Sequence, residues 1–211
     1  MRWKLNIESP LVSGMTTASD LLFLNFLWLL TSLPVVTIGA SNAALYRVVM
    51  DMHQQKGGGL LKRYFRAWKE NWKQATVIWL PTAAVIALFF FVFHSFETLN
   101  GMLGVPVKLI LCFIMLLTVF INGYAYAYLG FFEDTVAVVL KNSLGAAIQK
   151  LPVTALIVFI NLVPVILLVY SVELFMILLI FWLLIGIALS AYLNAKMILG
   201  VFEQVFLKSD A

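Results

Sequence analysis

The side chains that most often perform catalysis are few and scattered in this 211-residue sequence. His53 and His94 are its two histidines, and Cys112 is its one cysteine. The sequence contains no His-Glu-x-x-His pattern, no Gly-x-Ser-x-Gly turn and no cysteine cluster that would bind zinc. We therefore expect no catalytic residue, no cofactor-binding residue and no metal ligand, and we predict that the protein is not an enzyme.

Glu133 and Asp134 are two adjacent carboxylates. Neighbouring residues of a helix point in different directions, so this pair is poorly placed for acid–base catalysis. A helical pattern begins just after Asp134, and aspartate at such a position commonly caps the free backbone N–H groups of the first turn. We predict that Asp134 is a helix N-cap.

Binding of a polar solute inside a membrane would need polar side chains within apolar segments. Asn25, Asn122 and Asn161 lie in such segments. The middle of each segment lacks Asp, Glu, Lys and Arg, which argues against a proton- or ion-coupled pump. The three asparagines either line a path for a polar solute or join neighbouring helices by hydrogen bonds, and the sequence favours the second role.

The composition is typical of an integral membrane protein. Hydrophobic residues make up 63% of the chain and charged residues 11%, with a mean hydropathy of +1.01. Soluble domains contain about 25% charged residues. We therefore expect the lipid bilayer as the main partner and no nucleic acid.

Five apolar segments approach the length of about 20 residues that a helix needs to cross a bilayer. They cover residues 17–36, 75–93, 108–128, 152–170 and 174–198. The predicted fold class is all-α: a polytopic membrane protein of about five transmembrane helices plus two amphipathic cytoplasmic helices. Residues 1–211 form one membrane domain, in which residues 1–16 are an interfacial tail.

The distribution of lysine and arginine predicts the orientation of the chain. The connection at 41–74 carries seven of these residues, whereas the connection at 94–107 carries none. By the positive-inside rule, the basic connection and the C-terminus lie in the cytoplasm of a multi-pass plasma-membrane protein. Residues 17–36 then cross the membrane fully, or residues 20–40 form a re-entrant hairpin; we favour the full crossing.

Residues 60–75 and 131–151 are the two predicted cytoplasmic helices. In the first, apolar residues that include Trp68 and Trp72 recur every three or four positions, and basic residues occupy the other side. Tryptophan and basic side chains suit the level of lipid headgroups, so we expect this helix to lie in the inner interface of the membrane.

A fixed corner is predicted between the first apolar segment and the basic connection. Pro34 disfavours helix at the preceding residue, Gly39 tolerates a positive φ, and Ser41 can cap a new helix. We therefore predict a non-helical joint over residues 34–41, with Gly39 in the left-handed region.

Two stretches around this corner resemble the signature of a known family. NFLWLLTSLPVVTIGASNAALYRV at 25–48, followed by FRAWKENWKQAT at 65–76, is similar to the YesL-like family of small bacterial membrane proteins, a domain of unknown function. Length and number of predicted spans agree over essentially the whole chain. Members of this family occur mainly in Gram-positive bacteria, often encoded beside sugar ABC importers and enzymes of glycan breakdown, and no catalytic residue set belongs to them.

The resemblance implies a non-catalytic accessory membrane subunit that associates with a carbohydrate (complex glycan or oligosaccharide) ABC importer and contacts its permease subunits. The alternative is a small transporter or channel for glycan-derived solutes, in which the three asparagines line the path. The candidate partner-binding or structural residues are Pro34, Gly39, Lys62, Arg63, Arg66, Trp68 and Trp72.

Overall fold

The computed structural model describes residues 10–95 and 104–207. These residues form helices and turns without a strand, which confirms the all-α membrane fold. In chain order the helices are α1 (Pro10–Ser32), α2 (Ile38–His53), α3 (Leu60–Ser95), α4 (Gly104–Phe131), α5 (Val136–Gln149), α6 (Leu151–Tyr170), α7 (Val172–Phe181) and α8 (Ile187–Phe202). A π-helical stretch, Trp182–Gly186, joins α7 to α8, and a second one, Glu203–Leu207, follows α8.

Three helices in the described part of the chain are long and apolar enough to cross a membrane. They are Leu60–Phe93, Val105–Phe131 and Val172–Leu207. The helices α5 and α6 meet at an angle of 106°, and they add a fourth span if the pair is one broken span. This is fewer than the predicted five. The first predicted segment is not among these candidates, because the strongly apolar part of α1 covers only residues 21–30.

The predicted basic helix and the predicted second span are one continuous helix, α3, of 36 residues with Pro81 inside it. Tyr64, Ala67 and Ala75 on the apolar stripe of its first half are buried in the protein core. The prediction that this whole stripe lies in the membrane interface is therefore wrong. Tyr64 and Ala75 of the stripe pack on other helices, whereas Leu61, Phe65 and Trp72 remain exposed.

The helix at the centre of the bundle is α2, which contacts α1, α3, α4 and α8. Its approach to α3 is so close that a Cβ added to Gly39 would lie 2.5 Å from the carbonyl oxygen of Ala75. A Cβ on Gly130 of α4 would lie 2.9 Å from the carbonyl oxygen of Ala43. Small residues thus let two neighbouring helices approach the backbone of α2, as is common between membrane helices.

A corner is present at Pro34, but it is shorter than predicted. The helix α1 ends at Ser32, and one 3-10 turn, Val35–Thr37, precedes α2. The Thr37 hydroxyl donates to the carbonyl of Thr31 at 2.6 Å and to that of Pro34 at 2.7 Å. These bonds fix the corner by tying the start of α2 to the end of α1.

Gly39 and Ser41 lie inside α2, not in the corner. Of the described glycines only Gly58 has a positive φ, so the prediction of a left-handed Gly39 is wrong. The Ser41 hydroxyl donates to the Thr37 carbonyl at 3.1 Å, so Ser41 is not an N-cap either. Gly39 is a glycine for a different reason, which is the close approach of α3.

Two further predicted boundaries change. The predicted tail of residues 1–16 lies outside the described residues up to residue 9, and from Pro10 it is already helix α1. The predicted connection at 41–74 divides into most of α2, a link of residues 54–59 and the first half of α3. The predicted helix at 131–151 corresponds to α5.

Candidate functional site

A buried carboxylate surrounded by cations lies at the end of α2. The side chain of Asp51 is 5% exposed; Arg47 Nε and Lys56 Nζ each lie 3.6 Å from its Oδ1, and an Arg63 Nη lies 3.8 Å from its Oδ2. We refer to these four residues as the Asp51 cluster. A buried carboxylate is costly without such partners, so the three cations offset the cost of burying the Asp51 side chain.

The Asp51 cluster joins three parts of the fold. Arg47 donates a hydrogen bond of 2.8 Å to the carbonyl of Gly130 in α4. Arg63 of α3 also donates to the carbonyl of Lys56, at 3.0 Å. Arg63 is therefore held inside the protein, whereas the sequence had placed it among the candidate partner-binding residues.

A polar cleft of about 540 Å³ lies beside this cluster, lined by residues of α2, α3 and the α4–α5 link. Its walls include the carboxylates Glu70, Glu133 and Asp134 together with Arg47. Within the described residues, no three His, Cys, Asp or Glu side chains are grouped so that they could hold a metal ion. The cleft mixes charges of both signs, which is typical of a solvated polar surface.

Asp134 has a different role from the predicted one. The residue that precedes α5 as its N-cap is Thr135, without a side-chain capping bond. Asp134 Oδ2 instead accepts a hydrogen bond of 2.7 Å from the Tyr128 hydroxyl, which in turn accepts one of 2.7 Å from Asn142. Asp134 thus ties the end of α4 to α5, and the predicted N-cap is wrong.

The first half of α3 carries an exposed face that is both aromatic and basic. We call it the α3 basic surface, and its members are Leu61, Lys62, Phe65, Arg66, Lys69, Trp72 and Lys73. The Lys73 ammonium lies 5.9 Å from the centre of the Trp72 ring, within cation–π range. Trp68 differs from Trp72, because it is half-buried and packs against the core.

Asn25 joins α1 to the break between α7 and α8. Its amide donates to the carbonyl of Leu183 at 2.7 Å, and its oxygen accepts from the N–H of Ala188 at 2.9 Å. A π-helical stretch shifts the backbone pairing of a helix, so groups at its ends need outside partners. Asn25, which is fully buried, provides two such hydrogen-bond partners, its amide nitrogen and its amide oxygen. This is the helix-joining role that the sequence favoured.

Asn122 and Asn161 line a cleft of about 280 Å³ between α2, α3, α4 and α6 that is open on one side and is here called the central cavity. Asn122 donates to the Thr82 hydroxyl at 3.1 Å and to the Thr118 carbonyl at 2.8 Å. Asn161 accepts from Asn194 of α8 at 3.0 Å. Both asparagines therefore join helices and also line this cleft.

The sequence reasoning did not single out the other polar residues of this cavity. Asn42 and Tyr46 come from α2, which the charge pattern had assigned to a connection outside the membrane, and Tyr126 comes from the predicted span at 108–128. The available signal was the run of small residues in α2, which permits close packing with spanning helices.

His53 is not among the residues that line this cavity. The His53 ring stacks on Tyr192 with ring centres 4.1 Å apart, and its Nε2 lies 2.9 Å from the Tyr192 carbonyl oxygen. This contact joins the end of α2 to α8. The side chain of His94 lies outside the described part of the chain.

Comparison with known families gives one match. The family model described as "Protein of unknown function, DUF624" matches residues 21–93, which is less than half of the chain. The matched region contains the corner at Pro34, the whole of α2 and most of α3. No curated protein and no solved structure matches this chain.

Proposed function

We propose that this chain is a non-catalytic accessory membrane subunit that associates with the permease subunits of a carbohydrate ABC importer. The observation that carries the proposal is the α3 basic surface. One side of this helix is buried in the bundle at Tyr64, Ala67 and Ala75, so the opposite side is held rigidly. Exposed aromatic residues and arginine are the types most often found at the centre of protein interfaces.

The choice of an importer as the partner rests on the resemblance to the YesL-like family, whose members are often encoded beside sugar ABC importers. The proposed location is the plasma membrane, with the α3 basic surface and the C-terminus in the cytoplasm. The abundance of lysine and arginine in this part of the chain supports that orientation.

Reversing charges on the α3 basic surface should separate the subunit from its partner. In the double variant Lys62→Glu and Arg66→Glu, recovery of importer permeases with the tagged protein should fall about tenfold, the equivalent of about 1.4 kcal/mol. The measurement is mass spectrometry of proteins that co-purify with the tagged chain from its native membrane.

The matched control reverses two other exposed lysines, with Lys141→Glu in α5 and Lys196→Glu in α8. It changes the net charge by the same amount and should leave permease recovery at the native level. An unaltered chain that brings down no permease would contradict the proposal, as would an equal loss with both double variants.

A second candidate function is that of a small transporter or channel for glycan-derived solutes. The central cavity supports it, because polar side chains such as Asn122 and Asn161 in a mostly apolar cleft between helices can contact a solute at membrane depth. Described residues that line the cavity carry no formal charge, which suits a neutral solute.

Uptake into vesicles tests this second function. Vesicles that contain the purified chain should take up a labelled monosaccharide faster than empty vesicles. The variant Val119→Phe, which places a ring in the central cavity, should lower the rate to that of empty vesicles. Equal rates with and without the native chain would reject transport.

A further inference from the structure

The central cavity has one polar group that the protein leaves unsatisfied. Tyr126 is 5% exposed, and its buried hydroxyl makes no hydrogen bond in the described part of the chain. An unpaired buried hydroxyl costs about 1–3 kcal/mol. Of the seven buried polar atoms without a partner in the described residues, the Tyr126 hydroxyl is the one whose residue lines this cavity, so we infer that its partner is a water or a ligand from outside the chain.

The neighbouring tyrosines of α4 show that the local environment can satisfy such a group. The Tyr124 hydroxyl lies 3.0 Å from the hydroxyl of Thr154, and the Tyr128 hydroxyl donates to Asp134. Tyr126 lies between them in sequence, but its side chain lines the central cavity instead. Of these three tyrosines of α4, Tyr126 is the one whose hydroxyl has no partner among the described residues.

Two amides in the cavity wall also have donor capacity to spare. The oxygen of Asn42 accepts from the Trp28 indole at 2.8 Å, and the oxygen of Asn161 accepts from Asn194. Neither amide nitrogen makes a hydrogen bond to any described residue. The wall thus offers two amide donors and one hydroxyl, which can both donate and accept.

We propose that the central cavity is a binding site for one neutral hydroxylated group, with Asn42, Tyr126 and Asn161 as its polar contacts. A hydroxyl group can accept from the amides and exchange a hydrogen bond with Tyr126. An ionised ligand is disfavoured because the lining has no charge to balance it. The apolar part of the lining, which includes Met115 and Val119, suits the C–H surface of a sugar ring or of glycerol.

The volume limits the size of the ligand. Ligand pockets commonly span about 300–1,000 Å³, so a cavity of about 280 Å³ suits a single sugar ring or a glycerol unit and not an oligosaccharide. A second space of about 190 Å³ adjoins it and shares Asn42, Tyr46 and Asn161. Two sources can supply the same group: a free monosaccharide, or the headgroup of a neutral glycolipid entering past the exposed residues Asn161 and Leu162.

The purpose of the proposed site rests on the second candidate function, which is transport, and the inference adds the class of ligand that the site binds. Each of these two proposals can fail without the other. Binding without uptake into vesicles rejects transport alone, whereas the absence of binding rejects the site.

Two single-atom deletions in α4 provide the test. Tyr126→Phe removes a hydroxyl that has no partner in the protein, so the melting temperature without ligand should be unchanged or higher. Tyr124→Phe removes the bond to Thr154 and should lower it. The affinity for the ligand should show the reverse pattern. It should fall about tenfold in Tyr126→Phe and stay unchanged in Tyr124→Phe.

Binding is measured on the full chain as the rise in melting temperature with glucose in detergent. Native mass spectrometry of the chain released from vesicles that contain a monoglucosyl diacylglycerol provides the second arm. A response to glucose identifies a free sugar, and retention of the glycolipid identifies a headgroup. If Tyr126→Phe does not fold, Val119→Phe replaces it with the same expected loss. The proposal is overturned if neither probe binds, or if both variants bind as well as the native chain.

Discussion

Gly39→Ala is expected to destabilise the folded protein by about 3 kcal/mol, at the upper end of the cost of overpacking. The added methyl group would lie 2.5 Å from the Ala75 carbonyl oxygen and 2.9 Å from Cβ of Trp79. One of these neighbours is backbone, so relief requires α2 and α3 to move apart. Helix α2 is the centre of the bundle, and the displacement would loosen its contacts with α4 and α8 as well.

Gly200→Ala is the matched control for this prediction. Gly200 lies within α8, and a Cβ there would meet nothing within 4 Å. Alanine is preferred to glycine inside a helix by about 1 kcal/mol, so this variant should be slightly more stable than the native chain. Thermal unfolding in one detergent measures both variants. Equal melting temperatures for Gly39→Ala and Gly200→Ala would contradict the close approach of α2 and α3.

Asp51→Ala is expected to have a comparable effect. Leaving a buried charged group without its partner costs about 1–3 kcal/mol or more. Arg47 and Lys56 are 35% and 52% exposed, so water can solvate them once the carboxylate is removed. Arg63 would be the most affected, since its side chain is 13% exposed and faces the carboxylate. The free energy of unfolding in denaturant, with the chain held in mixed micelles, gives the comparison with the native chain.

Glu70→Gln serves as the control for Asp51→Ala. Glu70 is an exposed carboxylate of α3 that forms no ion pair with any described residue. Its neutralisation should change the free energy of unfolding by less than about 0.5 kcal/mol. The assigned role of the Asp51 cluster would be wrong if both variants unfolded at the native denaturant concentration.

Local signals in the sequence were sufficient for the fold class and for the corner. The apolar segments identified a membrane protein, because no soluble fold needs so many uncharged residues in series. Pro34 identified the break between α1 and α2, because proline acts on the backbone of its immediate neighbour. Both inferences depend on residues that are close together in the chain.

Two inferences that depended on a distant partner failed. Gly39 was expected for its backbone freedom, but its role is to admit the backbone of Ala75. Glycine is suited both to a left-handed backbone conformation and to the close approach of a neighbouring helix, so the sequence alone does not distinguish these two roles. The apolar stripe at 60–75 posed the same difficulty, because a face that enters the membrane interface and a face that packs on α2 have the same periodicity.

The central cavity could not be predicted for a related reason. Its three proposed contacts, Asn42, Tyr126 and Asn161, come from three helices that are far apart in the chain. Each has an ordinary explanation when considered alone: a polar residue in a connection, a tyrosine near the end of a predicted span and a helix-joining asparagine. Only the missing partner of Tyr126 distinguishes the group, and that is visible only once the helices are assembled.

The bond between Asn25 and Leu183 also bears on how the protein is made. These residues are 158 positions apart, so at about 5–20 residues per second the ribosome needs roughly 8–30 s to synthesise the interval. During that time the first helix has an amide without its acceptor. A chain released before residue 183 keeps this defect permanently. Incomplete products therefore lack the hydrogen bonds that join α1 to the break between α7 and α8.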